Sequence, residues 1–238
     1  MIRIFNLIFI VFIKLLPKSF VNIFARQYVA GETINDALKV VRKLNKEGFR
    51  VTLDILGEHL SDRNEIAEIV SEYKLLYEEI HKENLDSNIS IKPTHIGLDI
   101  SIDEALNNFK DIANTANKYN NFLRIDMESS KVTDDSLAIY KGLLKYHKKT
   151  GIVLQSYLHR SYSDLQNMNS EEFNFRLCKG IYNEPENISF KQYNQINNNY
   201  IKMLKYAFEN NLYVAIATHD KNLIDKCYEL IKKYNVDL

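Results

Sequence analysis

The chain has little cysteine: two residues, Cys178 and Cys227, in 238. That excludes a disulfide scaffold, and neither has metal-ligand spacing, so both read as reduced, small apolar side chains of the core. A charge excess of either sign is missing as well, with 31 Lys and Arg against 31 Asp and Glu. No global field favours nucleic acid. Long apolar runs are also scarce. The run Leu7–Ile13 in the first 16 residues is too short to cross a bilayer as a helix. Arg3 would suit a signal peptide, but Lys14, Pro17 and Lys18 stand where small residues should mark a cleavage site. Residues 1–16 keep two readings: a helix packed on its own domain, or an interfacial helix resting on a membrane surface. The expected location is cytoplasmic, with peripheral contact at the inner face of the membrane in the second case. No Gly-x-Gly-x-x-Gly follows the first strand and no Walker loop occurs, which excludes a Rossmann fingerprint and a P-loop.

What is present is alternation. Apolar and charged fractions of 45% and 26% are those of a globular chain, and the length suits one substantial core. Pro17 suits the first turn of a second helix through Ala25, so residues 1–27 read as amino-terminal helices. Thr33 then caps a helix, with Asp36 at the capping-box position. Strands are predicted at 50–56, 88–92, 122–126, 151–155, around Arg176, and at 212–217. Helices are predicted at about 62–83, 101–119, 133–148, 161–165, 189–210 and 221–234. That is six βα units over residues 28–238, an α/β chain with a parallel sheet.

The carboxyl end of each strand carries polar residues: Glu58, Lys92, Asp126 with Glu128, Gln155 with Tyr157, Arg176 with Lys179, and Thr218-His219-Asp220. A doubly wound sheet would gather them at one switch point, whereas a (βα)8 barrel distributes them round its rim. Each has a plain alternative. Lys92 reads equally as a solvated cation, Asp126 as a helix cap, Arg124 as the neutraliser of Asp126, and His219 as a satisfied core histidine. Together at one rim they point to a site. No His/Cys/Asp cluster has ligand spacing and Asp126-Met-Glu128 is weak alone, so no metal is expected; no nucleophile elbow occurs. An organic cofactor is left to supply the reactivity. The stretch Arg176-Leu-Cys-Lys-Gly-Ile-Tyr182 offers two cations, a bare backbone and an aromatic ring to an anionic, planar ligand.

Seven segments, in this order, carry a resemblance: Val29-Ala-Gly-Glu32, Leu53-Asp-Ile-Leu-Gly-Glu58, Ser90-Ile-Lys92, Arg124-Ile-Asp-Met-Glu128, Val153-Leu-Gln155 with Tyr157, Arg176–Tyr182, and Ala217-Thr-His-Asp220. From about Tyr28 onward the chain resembles the monofunctional flavin-dependent proline dehydrogenases. The resemblance implies a distorted (βα)8 barrel with FAD across the strand ends, oxidising L-proline to Δ1-pyrroline-5-carboxylate and passing electrons to a quinone. It implies that Arg176 sits near flavin N5 and that Lys92 pairs with the substrate carboxylate. Asp126 fixes that lysine and the amine end, and Tyr182 lines the proline pocket. It further implies that Met127, Gln155, Lys179, Gly180, Ile181, Thr218 and His219 contact FAD, and that Glu58 is a gating carboxylate partnered, in the family, by an arginine on the final helix.

The family pattern continues with two more strands and a helix bearing Arg-Arg-x-x-Glu, but no Arg-Arg occurs here and Arg176 is the last arginine. The expectation is therefore a truncated barrel with open edges. It is either impaired as it stands, or one part of a split enzyme whose partner is a complementing carboxyl-terminal fragment. Two other readings stay open: a catalytically dead remnant, and a Schiff-base barrel enzyme using Lys92.

Overall fold

A computed structural model describes residues 29–168 and 173–237. The helices expected within residues 1–27, and the membrane contact expected of residues 1–16, lie outside the described residues. No described helix is long and apolar enough to cross a membrane. The chain divides into two compact units, residues 1–51 with 83–87, and residues 52–82 with 88–238.

The described part of the first unit is built on helix α1, Ile34–Lys46. Thr33 caps it as expected: its hydroxyl oxygen accepts the Asp36 N–H at 3.2 Å while its O–H donates to the Asp36 carboxylate at 2.8 Å. Arg42 binds Glu83 at 2.5 Å, and the Asn45 amide bridges Phe49 O and Asp86 O.

In chain order there follow β1 (Val51–Leu53), α2 (Arg63–Lys82), β2 (Ser87–Ile91), α3 (Ile102–Lys118), β3 (Leu123–Ile125), α4 (Thr133–Leu144), β4 (Thr150–Gln155), α5 (Ser161–Asn167), β5 (Asn174–Cys178), α6 (Tyr193–Glu209), β6 (Tyr213–Ile216) and α7 (Lys221–Tyr234). The sheet order is β1-β2-β3-β4-β5-β6, with parallel pairing from β2 to β6. Every connection steps to the next strand in one direction, with no reversal of the kind that defines a doubly wound sheet. The barrel reading holds, with six βα units.

Curvature follows from side-chain reach. In a flat sheet β2 and β5 would stand about 14 Å apart, three steps of roughly 4.8 Å. Yet Arg176 on β5 donates to Ser90 on β2 at 3.2 Å. The sheet curls round a lumen. Alternation then sorts the side chains. Ile89, Ile91, Leu123, Ile125, Ile152, Leu154, Phe175 and Leu177 are buried, alternating with Ser90, Lys92, Arg124, Asp126, Val153, Gln155 and Arg176 on the lumen side.

Several boundaries differ from expectation: the strand expected at 50–56 spans only Val51–Leu53, and two helix ends differ for visible reasons. The helix expected from Ser189 starts at Tyr193, because residues 188–190 are committed to backbone bonds with the β4 end: Phe190 N–H to Tyr157 O at 2.7 Å and His159 N–H to Ile188 O at 3.0 Å. The helix expected to reach Lys148 stops at Leu144, where the N–H groups of Tyr146 and His147 both turn back to Leu143 O. Two 3-10 turns escaped the periodicity altogether, Pro93–Ile96 and Ser130–Val132. Cys227 is buried as expected and Cys178 is half-buried at the end of β5; both thiols are free.

Candidate functional site

The carboxyl ends of the strands bring most of the expected residues together, but with different partners. Lys92 was expected to be fixed by Asp126. It instead donates to Asp54 Oδ2 at 2.6 Å, one strand over, and Tyr73 OH donates to the other Asp54 oxygen at 3.2 Å. Burial alone would lower the Lys92 pKa, but the bond and charge of Asp54 more than offset it, so the ammonium sits above its ordinary value. Burial pushes Asp54 up, opposed by Lys92.

Asp126 belongs to Arg176. The guanidinium donates through Nη2 to Asp126 Oδ2 at 2.9 Å and to Ser90 Oγ at 3.2 Å, and Met127 N–H donates to Asp126 Oδ1 at 2.9 Å. Arg124 feels the charge of Asp126 but directs its hydrogen bonds elsewhere. It is buried, donating to Ile152 O at 3.1 Å and Asn174 Oδ1 at 3.0 Å with Phe122 under the guanidinium. Gly151 makes the room: a Cβ there would stand 2.8 Å from Arg124 Nη1. Burial, with Arg176 nearby, lowers the Arg124 pKa to about 10.

Tyr182, on the loop after β5, reaches the loop after β1 and donates its hydroxyl to Glu58 Oε1 at 2.9 Å. Glu58, whose expected arginine partner belongs to a final helix of the family pattern, is met here by a phenol. Burial and then the Glu58 bond push the Tyr182 pKa up. Lys179 donates to Asp220 Oδ2 at 2.5 Å and lies over the Tyr193 ring at 4.6 Å. Tyr193 OH and the Asn197 amide donate to the same oxygen. Thr218 accepts the Asp220 N–H at 3.1 Å. His219 is exposed, which overturns the core-histidine alternative. Glu128, at the strand end with Asp126, is 1% exposed and accepts from Thr94 N–H at 3.0 Å and from the Thr94 hydroxyl. It braces the turn after β2. Among the described residues no three His, Cys, Asp or Glu side chains are grouped to hold a metal.

Four features suit a flat, partly anionic ligand. The Gln155 amide donates to Met127 O at 3.1 Å while its buried Oε1 has no hydrogen-bond partner. Gly180 holds φ +104°, and a Cβ there would stand 2.1 Å from the Tyr157 ring, so the backbone lies flat on that ring. Ile181 presents an apolar side chain that is 89% exposed at the rim. The Arg176 guanidinium faces the lumen beside them. Sequence reasoning gave no role to Asp54, Ser90, Glu184 or Asp220. Asp54 and Ser90 stand inside segments already singled out; Ser90 is two residues from Lys92 on the same strand face, and that alternation was the available signal, whereas Asp54 follows the end of β1 with no assigned residue two positions away.

A family model described as proline dehydrogenase matches residues 37–237. The chain belongs to the proline dehydrogenase family. It is 34% identical over 212 residues to proline dehydrogenase 1 of Bacillus subtilis subsp. natto, covering 89% of this chain and 70% of that relative. Proline dehydrogenase of Deinococcus radiodurans is 29% identical over 217 residues, with the same coverage of 89% and 70%. In fold the chain is similar to crystalline proline utilization A (PutA) from Bdellovibrio bacteriovorus, with a TM-score of 0.82 at 23% identity. It matches 90% of this chain and spans 27% of that longer one. The proline dehydrogenase family is one of oxidoreductases, and the six-unit barrel is its architecture here.

Proposed function

We propose that this chain is an FAD-dependent proline dehydrogenase, oxidising L-proline to Δ1-pyrroline-5-carboxylate and delivering the electrons to a quinone. The observation that carries the reading is the pair of ion pairs facing one lumen, Lys92–Asp54 at 2.6 Å and Arg176–Asp126 at 2.9 Å. Family membership supports the reaction class; the orphan Gln155 oxygen, the bare Gly180 backbone and the exposed Ile181 support a flavin among Met127, Gln155, Arg176, Lys179, Gly180, Ile181, Thr218 and His219.

Bound FAD would supply the hydride acceptor. In the reaction, a C–H bond on the ring carbon next to nitrogen breaks with its electron pair, the nitrogen gives up a proton, and a C=N bond forms. Lys92 is the cation for the substrate carboxylate, and Asp54 keeps it charged and aimed along the lumen. Arg176, steered by Asp126 and Ser90, places positive charge where electron density accumulates during transfer. Tyr182 closes the pocket from above through Glu58. Lys92 is a poor Schiff-base nucleophile here, since its pKa is raised and not depressed.

A second reading, a split or inactive barrel that needs a complementing fragment, draws support from β6. It stands at the end of the sheet order, and Tyr213 on it is 62% exposed. Visible absorbance of the purified chain, before and after L-proline without oxygen, separates the readings. A flavin band that bleaches supports turnover by this chain. A band that persists supports cofactor binding without productive proline binding, and no band removes the flavin reading.

A further inference from the structure

Glu184 is a buried carboxylate, 7% exposed, on the loop that carries Tyr182. Both of its oxygens are taken by one residue of another loop: Ser130 N–H donates to Oε1 at 2.6 Å and the Ser130 hydroxyl to Oε2 at 2.5 Å. Ser130 opens the 3-10 turn that follows β3, four residues after Asp126. The contact therefore ties the β5 loop to the β3 loop, passing over the end of β4. Within its own loop, Glu184 N–H donates to Tyr182 O at 3.1 Å, and Glu184 O accepts from Lys191 Nζ. A carboxylate taken out of water is tolerated when its oxygens are satisfied, and these are. The alternative, a solvated surface glutamate, would leave the Tyr182–Glu58 bond as the side-chain tie of residues 180–183.

We propose that Glu184 is a positioning residue: it staples the β5 loop to Ser130 and so fixes Tyr182 at the mouth, where the phenol meets Glu58. The proposal rests on the reading of the lumen as a proline site only for its catalytic consequence. Two variants in the full chain test it, Glu184→Gln, which turns one acceptor into a donor facing a donor, and Ser130→Ala, which removes one donor. Backbone amide exchange is the first readout. Residues 180–184 are expected to exchange about tenfold faster in both variants, the loss of one charge-assisted bond, with β2 to β5 unchanged. The second readout is a cycle with Tyr182→Phe. KM for proline is expected to rise about tenfold in Glu184→Gln with a smaller change in kcat, and Glu184→Gln is expected to add nothing once Tyr182 is Phe. Unchanged exchange at 180–184, or a KM effect that adds in full to that of Tyr182→Phe, overturns the proposal. If the parent chain does not turn over proline, the reading of the site fails by itself. The exchange result then upholds or overturns the staple alone.

Discussion

Lys92 on the turn after β2 and Asp54 after β1 meet at 2.6 Å, with side chains 16% and 25% exposed. Each is the other's compensation for leaving water. Replacing Lys92 with Met strands the Asp54 carboxylate in a place where burial already raises its pKa. An acid whose pKa is raised on folding is tolerated while protonated and disfavoured once ionised. The deficit therefore grows as pH climbs past the ordinary carboxylate range and fades below it. Near neutral pH we expect Lys92→Met to lower stability by about 1–3 kcal/mol, and Lys92→Met/Asp54→Asn to recover part of that. Urea unfolding at pH 7 and pH 4 reads both; an equal loss at the two pH values would sink the argument.

Arg124 sits under Arg176 with neutral partners, Ile152 O and Asn174 Oδ1, at 5% exposure. A buried charge of this kind contributes little net stability, while its volume does contribute. We expect Arg124→Met to fall within about 1 kcal/mol of the parent, and Arg124→Ala to cost roughly 2–4 kcal/mol through the cavity it opens. Equal losses in the two would show that the guanidinium's bonds matter more than its bulk.

The two arginines also show how far the sequence alone carries. Strand positions, their order and the lumen-facing sets were legible because apolar and polar residues alternate along each strand. Which cation meets which anion was not. Arg124 and Arg176 look alike in sequence, but register separates them. Arg124 is level with Gly151, while Arg176 is level with Val153, one residue pair further up, beside the start of the Asp126 turn. Lys92 and Asp54 are likewise 38 positions apart, and only the β1–β2 adjacency joins them. The short 3-10 turns were invisible because three or four residues hold no periodicity. Glu184 was invisible because nothing local marks a loop glutamate as buried.

His59 and Asp99 tie two rim loops by a 2.8 Å contact between Nδ1 and Oδ2. The hydrogen bond to Asp99 raises the His59 pKa from 6.5, against a smaller opposing effect of burial. A base whose pKa is raised on folding adds stability that is complete below its unfolded value and lost as pH rises through the folded one. The link should hold in mild acid and loosen above neutrality. NMR titration of the imidazole should give a midpoint above 6.5, returning toward it in Asp99→Asn. A midpoint unmoved by that change would mean the contact is not an ion pair in solution.

Gly180 is where the backbone itself is the functional part. Its φ of +104° lies where a side chain is strained, and a Cβ would stand 2.1 Å from Tyr157 Cδ1 and 2.2 Å from Cε1. Tyr157 has little room to retreat: it is buried, its N–H donates to Lys179 O at 2.9 Å and its carbonyl accepts from Phe190 N–H at 2.7 Å. Gly180→Ala must therefore lift the loop that carries Lys179, Ile181 and Tyr182 away from β4. Strain of about 1–2 kcal/mol per left-handed residue sets a lower bound on the cost, and for a chain of this size that is roughly 2–8 °C in Tm. The lift should also break Tyr182 from Glu58, since those side chains meet only while the loop lies flat. We expect a lower Tm together with new protease cleavage between residues 179 and 186. A variant with parental Tm and no new cleavage would mean that the loop accommodates a methyl group without leaving the ring.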